Sequence, residues 1–587
     1  MLRILRFLKA KEWWRIGAGV LFIVVQVWLD LKLPAYMQEI TALVLRGDGV
    51  TQDIWIAGGN MLLCALGSLS ASVLTGLFAA QVSSSFARTL RSAFYHKVDS
   101  FSMAEINRFS TASLITRSTN DITQVRMMIA FGLQLIVKAP ITAVWAISMI
   151  AGKGFAWTLA TGIAVLVIIA MLSLIVIFVV PKFKKMQTLT DDLTRVSREN
   201  LTGLRVVRAY NAENYQSEKF EGANDALTST QLFTERAMAI AMPVMTLLLS
   251  GLGLATYWIG AYLLNDAAGV ATKVSTFSNM LVFSQYAVQV VMSFMMLGML
   301  FVLFPRASVS AKRIDEVLQT EPSIKDGQET KGEPGLLGHI VFDHVSFKYP
   351  DAEDYVLRDI SFTANRGDVV ALIGSTGSGK SSVVNLIPRF YDASEGTIRI
   401  DGVDVREYTL DALHNKIGYV PQQAVLLMGT VASNVALGEN GQGAYAEDAV
   451  RRAVAIAQAE DFVEGMEGQY EADIAQSGTN ISGGQKQRLA IARAVCRNPE
   501  FYIFDDSFSA LDFATDRTLR EALRRETGGV TNLLVAQRVG TILDADLIVV
   551  LEEGRIVGKG KHEELLRSCE VYREIAQSQL SKEELGL

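Results

Sequence analysis

Gly374-Ser375-Thr376-Gly377-Ser378-Gly379-Lys380-Ser381 is the segment whose residue types and spacing specify chemistry most directly. Glycines at this spacing let successive backbone N–H groups turn toward one point and wrap phosphate oxygens. Lys380 then meets the β- and γ-phosphates of a nucleoside triphosphate, and Ser381 offers a hydroxyl to Mg²⁺. The apolar run Val369–Ile373 before the loop and the helical pattern of Ser382–Arg389 after it supply the strand–loop–helix setting this chemistry needs. Further on, the apolar Phe501-Tyr502-Ile503-Phe504 ends in Asp505-Asp506, and a strand ending in Asp holds Mg²⁺ through its water shell. Between the two lies Ile481-Ser482-Gly483-Gly484-Gln485-Lys486-Gln487-Arg488, opening a helical run through Val495. Ser482 and the two glycines at that helix start present N–H donors and a positive dipole end to a phosphate. The chain's own loop already surrounds one nucleotide, so this second anion site is expected to cap the nucleotide of another polypeptide.

The elements that must position these residues form an α/β domain. From Ile340 onward, short β-rich runs alternate with Gly-rich turns and helices. Before it, Arg306–Gly338 reads as a helix end followed by a Pro/Gly-rich linker. The front half is of another kind. Half of the 587 residues are hydrophobic, and mean hydropathy is +0.26. A spanning helix needs about 20 apolar residues, and six stretches qualify: Ile16–Met37, Ile54–Val82, Ile129–Ala151, Phe155–Val180, Ala237–Leu264 and Phe277–Phe304. The last three contain no Asp, Glu, Lys or Arg.

Loop charge sets the topology. Segments 83–128 and 181–236 carry 6 and 9 Lys or Arg residues, against one each (Arg46, Lys153, Lys273) in the three short connections. By the positive-inside rule the long segments and both termini face the cytoplasm. Their helical pattern would carry them well beyond the bilayer at about 1.5 Å per residue, turning near Ser100–Phe109 and Ala209–Tyr215, where they could dock on the soluble domain. The basic start, Met1-Leu-Arg-Ile-Leu-Arg, leads into the first span with no early small-residue cleavage site, so an uncleaved span is expected. Expected boundaries are 1–310 for the membrane domain, 311–338 for the linker, 339–577 for the nucleotide-binding domain and 578–587 for a tail.

Polar groups interrupt the apolar spans: Gln26, Asp30, Lys32, Lys138, Gln285 and Gln289. Ionisable groups in hydrocarbon are costly and face water or a partner. Gln285 and Gln289 share a helix face with the flexible Met292, Met295, Met296 and Met299 nearby; substrate contact and helix packing both remain open for these positions. Cys64, Cys496 and Cys569 are isolated and are expected to be reduced thiols. A net charge of −6 argues against a nucleic-acid partner.

Motif order and the six-span front end resemble an ATP-binding cassette (ABC) exporter half-transporter over nearly the whole chain. The resemblance implies six transmembrane helices followed by an α/β P-loop domain, ATP and Mg²⁺ as ligands, and Gly374 through Ser382 as the phosphate loop. It implies further that Tyr349 stacks on adenine and that Gln422, in Tyr419-Val-Pro-Gln, touches Mg²⁺ alongside Ser381 and Asp505. Ser482, Gly483, Gly484 and Gln485 correspond to the signature, Ser509-Ala-Leu-Asp512 to the loop crossing the dimer interface, and Glu199–Tyr210 to a cytoplasmic loop that enters the opposite subunit's cassette.

Three positions depart from the family. Asp506 stands where a catalytic Glu is expected, one methylene shorter. Gln537, in Ala536-Gln537-Arg538, replaces the switch His and cannot carry its charge or shuttle a proton. Ala475-Gln476-Ser477-Gly478 replaces a loop containing a Glu. General-base positioning is worth about 10²- to 10⁴-fold in rate, so this chain's own site is expected to bind ATP and hydrolyse it slowly. Its signature, with only Ile481 in place of the usual Leu, would complete a competent site on a different half-transporter. The expectation is a heterodimeric exporter of amphipathic or hydrophobic, multidrug-type compounds in a bacterial plasma membrane. A lipid, peptide or cofactor carrier, and a non-pumping ATP-gated channel or regulator, are the alternatives.

Overall fold

The computed structural model describes residues 3–46, 51–267, 269–438 and 445–580. Parts of the expected outer loops at Arg46–Asp53 and Asn265–Thr276, and most of the expected tail 578–587, lie outside the described residues. The chain divides into one unit of Met1–Asp99 and Thr111–Thr320, and another of Ser100–Ser110 and Glu321–Leu587.

In chain order the helices of the first part are α1 (Ala10–Arg46), α2 (Thr51–Asp99), the short α3 (Met103–Phe109), α4 (Thr111–Ile150), α5 (Phe155–Thr202), the short α6 (Leu204–Ala209), α7 (Glu213–Asp266) and α8 (Val270–Gln319). The six long ones are each long and apolar enough to cross a bilayer, with mean hydropathy reaching 3.5 in α5. At 37 to 54 residues they exceed the ~20 a span requires, so the polar ends of α2, α4, α5 and α7 extend beyond the hydrocarbon. Large side chains such as Trp55, Leu63, Phe155 and Leu166 remain exposed on the unit. Water would not tolerate so much apolar surface; lipid covers it. The inner faces close around Ile23, Val27, Ile150, Trp157, Phe283 and Val290, with the Trp157 indole N–H donating to the Thr256 carbonyl at 3.1 Å.

Regular helix breaks where the sequence or packing demands it. Pro34, Pro243 and Pro305 lie inside α1, α7 and α8, each removing one ladder hydrogen bond. Wider π-turns occur at Arg117–Asp121 and Leu133–Lys138 in α4 and at Ile175–Val179 in α5. The first seats Asp121 against α8, where Ser310 donates to it at 2.8 Å and Arg313 pairs with it at 3.2 Å. Arg117 holds the Arg313 carbonyl and Glu316 nearby.

The second unit carries two main sheets. Strands β1 (Ile340–Phe347), β2 (Leu357–Ala364), β3 (Val369–Gly374), β4 (Glu395–Ile400), β5 (Ile417–Val420), β6 (Phe501–Asp505), β7 (Thr531–Val535), β8 (Leu547–Glu552) and β9 (Arg555–Gly560) follow one another in sequence. One antiparallel sheet runs β2-β1-β4 and ends in the two-residue strand Val403–Asp404; the other runs β9-β8-β3-β7-β6-β5. Within the second sheet all neighbours are parallel except β8 and β9. The parallel strands are mostly apolar, as burial on both faces favours; β6 is buried at every position, while β7 opens with Thr531-Asn532. Helix α3 belongs to this unit: Ser102 caps it, Ser323 N–H donates to Glu105 at 3.2 Å, and Asn107 donates to the Tyr391 hydroxyl at 3.0 Å.

Lys416 fixes the register of the two strands that lead into the site. Its carbonyl accepts the N–H groups of Glu500 and Phe501, both at 2.9 Å, and its ammonium bridges Asp401 and Glu500, both at 2.7 Å. Asp401 is fully buried. Lys416→Met should therefore strand a buried carboxylate and destabilise the nucleotide-binding unit by about 3 kcal/mol. Chemical denaturation of the full chain, followed by a probe in this unit, checks it.

Candidate functional site

The parallel strands deliver the sequence motifs to one edge. The loop after β3, Gln422 after β5, Asp505 at the end of β6 and Gln537 after β7 all lie at carboxyl ends of adjacent strands, the position where open α/β sheets bind ligands. After β3 the chain turns through Ser375, Thr376 and Gly377, which are exposed, and enters α9 (Lys380–Leu386). Gly374 passes so close to β8 that a Cβ there would sit 2.0 Å from the Leu551 carbonyl oxygen. Gly379 has φ +98° and a Cβ would meet Leu357 at 2.6 Å. At Gly377, by contrast, a Cβ would meet nothing within 4 Å and would project into open space. Residues that bring backbone this close to its surroundings leave a small concave cradle of N–H donors, which fits a chain of phosphates.

Lys380 is folded back over the loop, donating to the carbonyls of Gly374 at 2.9 Å and Ser375 at 2.7 Å. Burial lowers its pKa, opposed by the nearby charges of Asp506 and Asp505. Ser381 donates to Asp505 at 2.9 Å, and Asp505 is raised above the usual carboxylate range, chiefly by burial, against the Ser381 bond. The donor set of Ser381 hydroxyl, Asp505 carboxylate and nearby Gln422 is all hard oxygen apart from the amide nitrogen, which suits Mg²⁺ with its remaining positions filled by water and phosphate. Among the described residues no cluster of three or more His, Cys, Asp or Glu forms a separate metal cage. Tyr349 lies beside the same loop, its hydroxyl 3.0 Å from that of Ser382 and its ring edge-on to Tyr391 at 5.2 Å.

Asp506 is the least ordinary residue of the group. Its N–H bonds the Val535 carbonyl at 3.0 Å, which brings the start of the Ala536-Gln537 turn alongside. Its backbone adopts φ +48°, a conformation that costs energy in a non-glycine residue. Gln537 donates to its Oδ2 at 2.7 Å and Gln422 to the same oxygen at 3.3 Å. The carboxylate is nearly buried, and burial raises its pKa against the Gln422 hydrogen bond. Two amide donors therefore engage one of its two carboxylate oxygens, Oδ2.

The signature segment folds as a separate anion-ready end. Ser482 caps α10 (Gly483–Cys496) in a reciprocal box, accepting from Gln485 N–H at 3.3 Å while Gln485 accepts from Ser482 N–H at 2.8 Å. Ser482 and Gly483 are exposed, and among the described residues no hydrogen bond joins them to the phosphate loop. Asp512 caps the next helix, α11 (Phe513–Glu526), accepting from Thr515 at 3.1 Å. A Cβ on Gly484 would touch the Ala510 carbonyl and Leu511, so signature and Ser509–Asp512 loop pack as one surface. The structure thus groups Tyr349, Gly374–Ser382, Gln422, Asp505, Asp506 and Gln537, and leaves Ser482–Gln485 and Asp512 facing outward. Ala475–Gly478 is a tight turn with Ser477 at φ +58°. Ser509, whose hydroxyl donates to the Asp506 carbonyl at 3.0 Å, is a site neighbour that motif spacing named only as part of a longer loop.

This fold and this cradle define an ATP-driven membrane transporter with fused membrane and ATP-binding domains, and the chain belongs to the ABC transporter family. The family's transmembrane region matches residues 16–319 and its ATP-binding domain matches residues 357–509. The uncharacterized ABC transporter ATP-binding protein YfiB of Bacillus subtilis is 34% identical over 99% of both chains. An ATP-dependent lipid A-core flippase of Pseudomonas fluorescens is 35% identical over 78% of this chain and 74% of its own. A solved bacterial Atm1-family ABC exporter with ATP bound superposes with TM-score 0.79 at 25% identity, covering 97% of this chain and 99% of that one. The chain is accordingly an exporter half-transporter and a multi-pass membrane protein.

The raised Asp505 gives a pH test with a definite sign. A buried carboxyl whose folded pKa lies above its unfolded value (about 3.9) costs stability once pH exceeds that value, and the cost grows as pH climbs through the folded pKa. Asp505→Asn removes that cost. Its melting temperature without nucleotide should match wild type near pH 4 and exceed it at pH 7, while its Mg²⁺-dependent ATP affinity falls. Melting curves across that range, with and without Mg²⁺-ATP, check both parts.

Proposed function

We propose that this chain is one subunit of a heterodimeric exporter, moving amphipathic or hydrophobic compounds out of the cytoplasm, and that its own pocket holds ATP while hydrolysing it slowly. The observation that carries the reading is the double amide clamp on Asp506. In this scheme Gly374–Ser382 wrap the triphosphate, Lys380 leaves its two loop carbonyls for the β- and γ-phosphates, and Tyr349 turns from Ser382 to the adenine. Ser381, Asp505 and Gln422 would hold Mg²⁺, which supplies charge neutralisation between the β- and γ-phosphates. Asp506, short by about 1.5 Å relative to Glu and engaged by Gln537 and Gln422, orients water poorly and accepts its proton poorly. Gln537 donates a hydrogen bond and carries no charge.

The outward-facing Ser482–Gln485 end and Asp512 support a role across a dimer interface. There they would cap a nucleotide held by a second, different half-transporter that keeps the Glu and His. The exposed tip around α6, with Val206, Tyr210 and Tyr215 uncovered, suits docking on that partner's cassette. ATP sandwiched between the cassettes would close them and lever the spans outward, and hydrolysis at the competent site would reopen them. A lipid-type cargo is a second reading, favoured by the similarity to proteins named lipid A-core flippases. A homodimer with two slow sites is the competing assembly.

Restoring the base tests the reading. In the purified complex, Asp506→Glu with Gln537→His should raise ATP turnover assigned to this chain's pocket by 10²-fold or more, on the order of what a positioned base supplies. Asp506→Asn alone should change total turnover less than twofold (roughly 0.4 kcal/mol), whereas removing the partner's catalytic Glu should abolish it. Equal losses from both removals would show two equivalent sites and end the asymmetric scheme.

A further inference from the structure

Two ionisable groups within the spans find one another. Lys138 Nζ on α4 lies 3.8 Å from Asp30 Oδ2 on α1. Ser68 of α2 donates its hydroxyl to the other Asp30 oxygen, and Tyr286 of α8 donates to the Leu31 carbonyl at 2.8 Å, so four spans meet at this point. Both backbones are locally irregular. Lys138 closes the π-turn Leu133–Lys138, and Pro34 leaves the Asp30 carbonyl without its helical N–H partner. Irregularities of this kind inside helices recur at functional positions.

The pair is unevenly served. Asp30 has a hydroxyl on one oxygen and the ammonium near the other. Lys138 carries three donors, yet among the described residues it makes no hydrogen bond, only the long ion pair. It sits about 18 Å along the helix axis from the end of its span at Ile150, beyond the midplane of a roughly 30 Å hydrocarbon layer. Asp30 is turned away from the exposed apolar face of its helix. Leu21, Val25 and Trp28 form the exposed apolar stripe of α1, and Asp30, two residues past Trp28, falls about 200° around the helix from it. The side chains of Lys138 and Asp30 are 26% and 31% exposed, and ionisable groups inside spans as a rule face a water-filled cavity or a partner.

We propose that Lys138 is the subsite for the anionic headgroup, a phosphate or carboxylate, of an amphipathic substrate, and that Asp30 is the counter-ion this headgroup displaces. The inference rests on the exporter reading above and adds the sign of the cargo's charge. An incoming anion gives the ammonium the hydrogen bonds it lacks and leaves Asp30 its Ser68 bond. Releasing the Asp30–Lys138 pair also removes the charge link between α1 and α4, which would tie cargo entry to movement of the spans.

The test uses the full transporter, with any subunit it assembles with, in nanodiscs of zwitterionic lipid, and reads ATPase stimulation by dodecyl phosphate, dodecyltrimethylammonium and inorganic phosphate. Wild type should half-saturate with dodecyl phosphate at a concentration about tenfold below the cationic amphipath, a 1.4 kcal/mol preference, and inorganic phosphate should not stimulate. Lys138→Met should raise the dodecyl phosphate value about tenfold and move the cationic one less than twofold (about 0.4 kcal/mol). Lys138→Arg should restore it, and Asp30→Asn should lower it by removing the competing anion. If Lys138→Met does not accumulate, the opposite shifts expected of Lys138→Arg and Asp30→Asn relative to wild type carry the test. A preference for the cationic amphipath, equal shifts for both amphipaths, or a weaker dodecyl phosphate response in Asp30→Asn overturns the Lys138 assignment and leaves the exporter reading standing. Stimulation by inorganic phosphate alone overturns the amphipathic part. No stimulation by either amphipath in ATP-binding wild type takes down the exporter reading and this inference together.

Discussion

In the asymmetric scheme proposed for this transporter, a hydrogen bond of 2.7 Å from Gln537 to Asp506 governs what the chain's own pocket does with ATP. Parallel pairing of β7 with β6 sets Val535 beside Asp505, and the backbone bond from Asp506 to Val535 then draws the Gln537 turn against the carboxylate. The sheet would make the same approach with any residue at these two positions. Side-chain chemistry then decides what the contact does, and here an amide N–H donates to one oxygen of a shortened, buried carboxylate.

The rest of the nucleotide-binding unit is built to hold phosphate well. Gly374 and Gly379 admit close backbone approach, Ser381 and Asp505 are already hydrogen-bonded to one another, and Lys380 is held over the loop by carbonyl groups that a phosphate can replace. In that asymmetric scheme, a site that binds ATP and cleaves it slowly would keep the cassettes together through several turnovers of its neighbour, so that one hydrolysis event at a time would reset the spans. In the membrane unit, ion pairs join helices. Asp121 with Arg313 does so near the cytoplasmic end, and Asp30 with Lys138 within the span.

Much of this was legible in the sequence because it is local. Glycine spacing in Gly374–Ser381, the apolar strand before Asp505 and the capping serine at 482 each specify a backbone shape from consecutive residues, and the six spans announce themselves by length and hydropathy. Even the departures at Asp506 and Gln537 could be read, since family position is a sequence property. What could not be read is contact between distant segments. Nothing in the spacing of Asp30, Ser68 and Lys138 says that three helices bring them together, although Gly132 before and Pro140 after the π-turn Leu133–Lys138 do mark a weak point in the helix. The clamp of Gln422 and Gln537 on one oxygen of Asp506, and the left-handed backbone of Asp506, likewise depend on strand order and register. Helix α3 joined the nucleotide-binding unit through Glu105 and Asn107, residues whose types give no hint of their partners.

The most direct measurement is the ATPase rate of this polypeptide purified by itself and reconstituted in lipid, alongside its ATP affinity in the same preparation. The account predicts tight, Mg²⁺-dependent ATP binding with turnover about 10²- to 10⁴-fold below that of the complex it forms with its partner. Rapid hydrolysis coupled to cargo movement by this chain alone would contradict it.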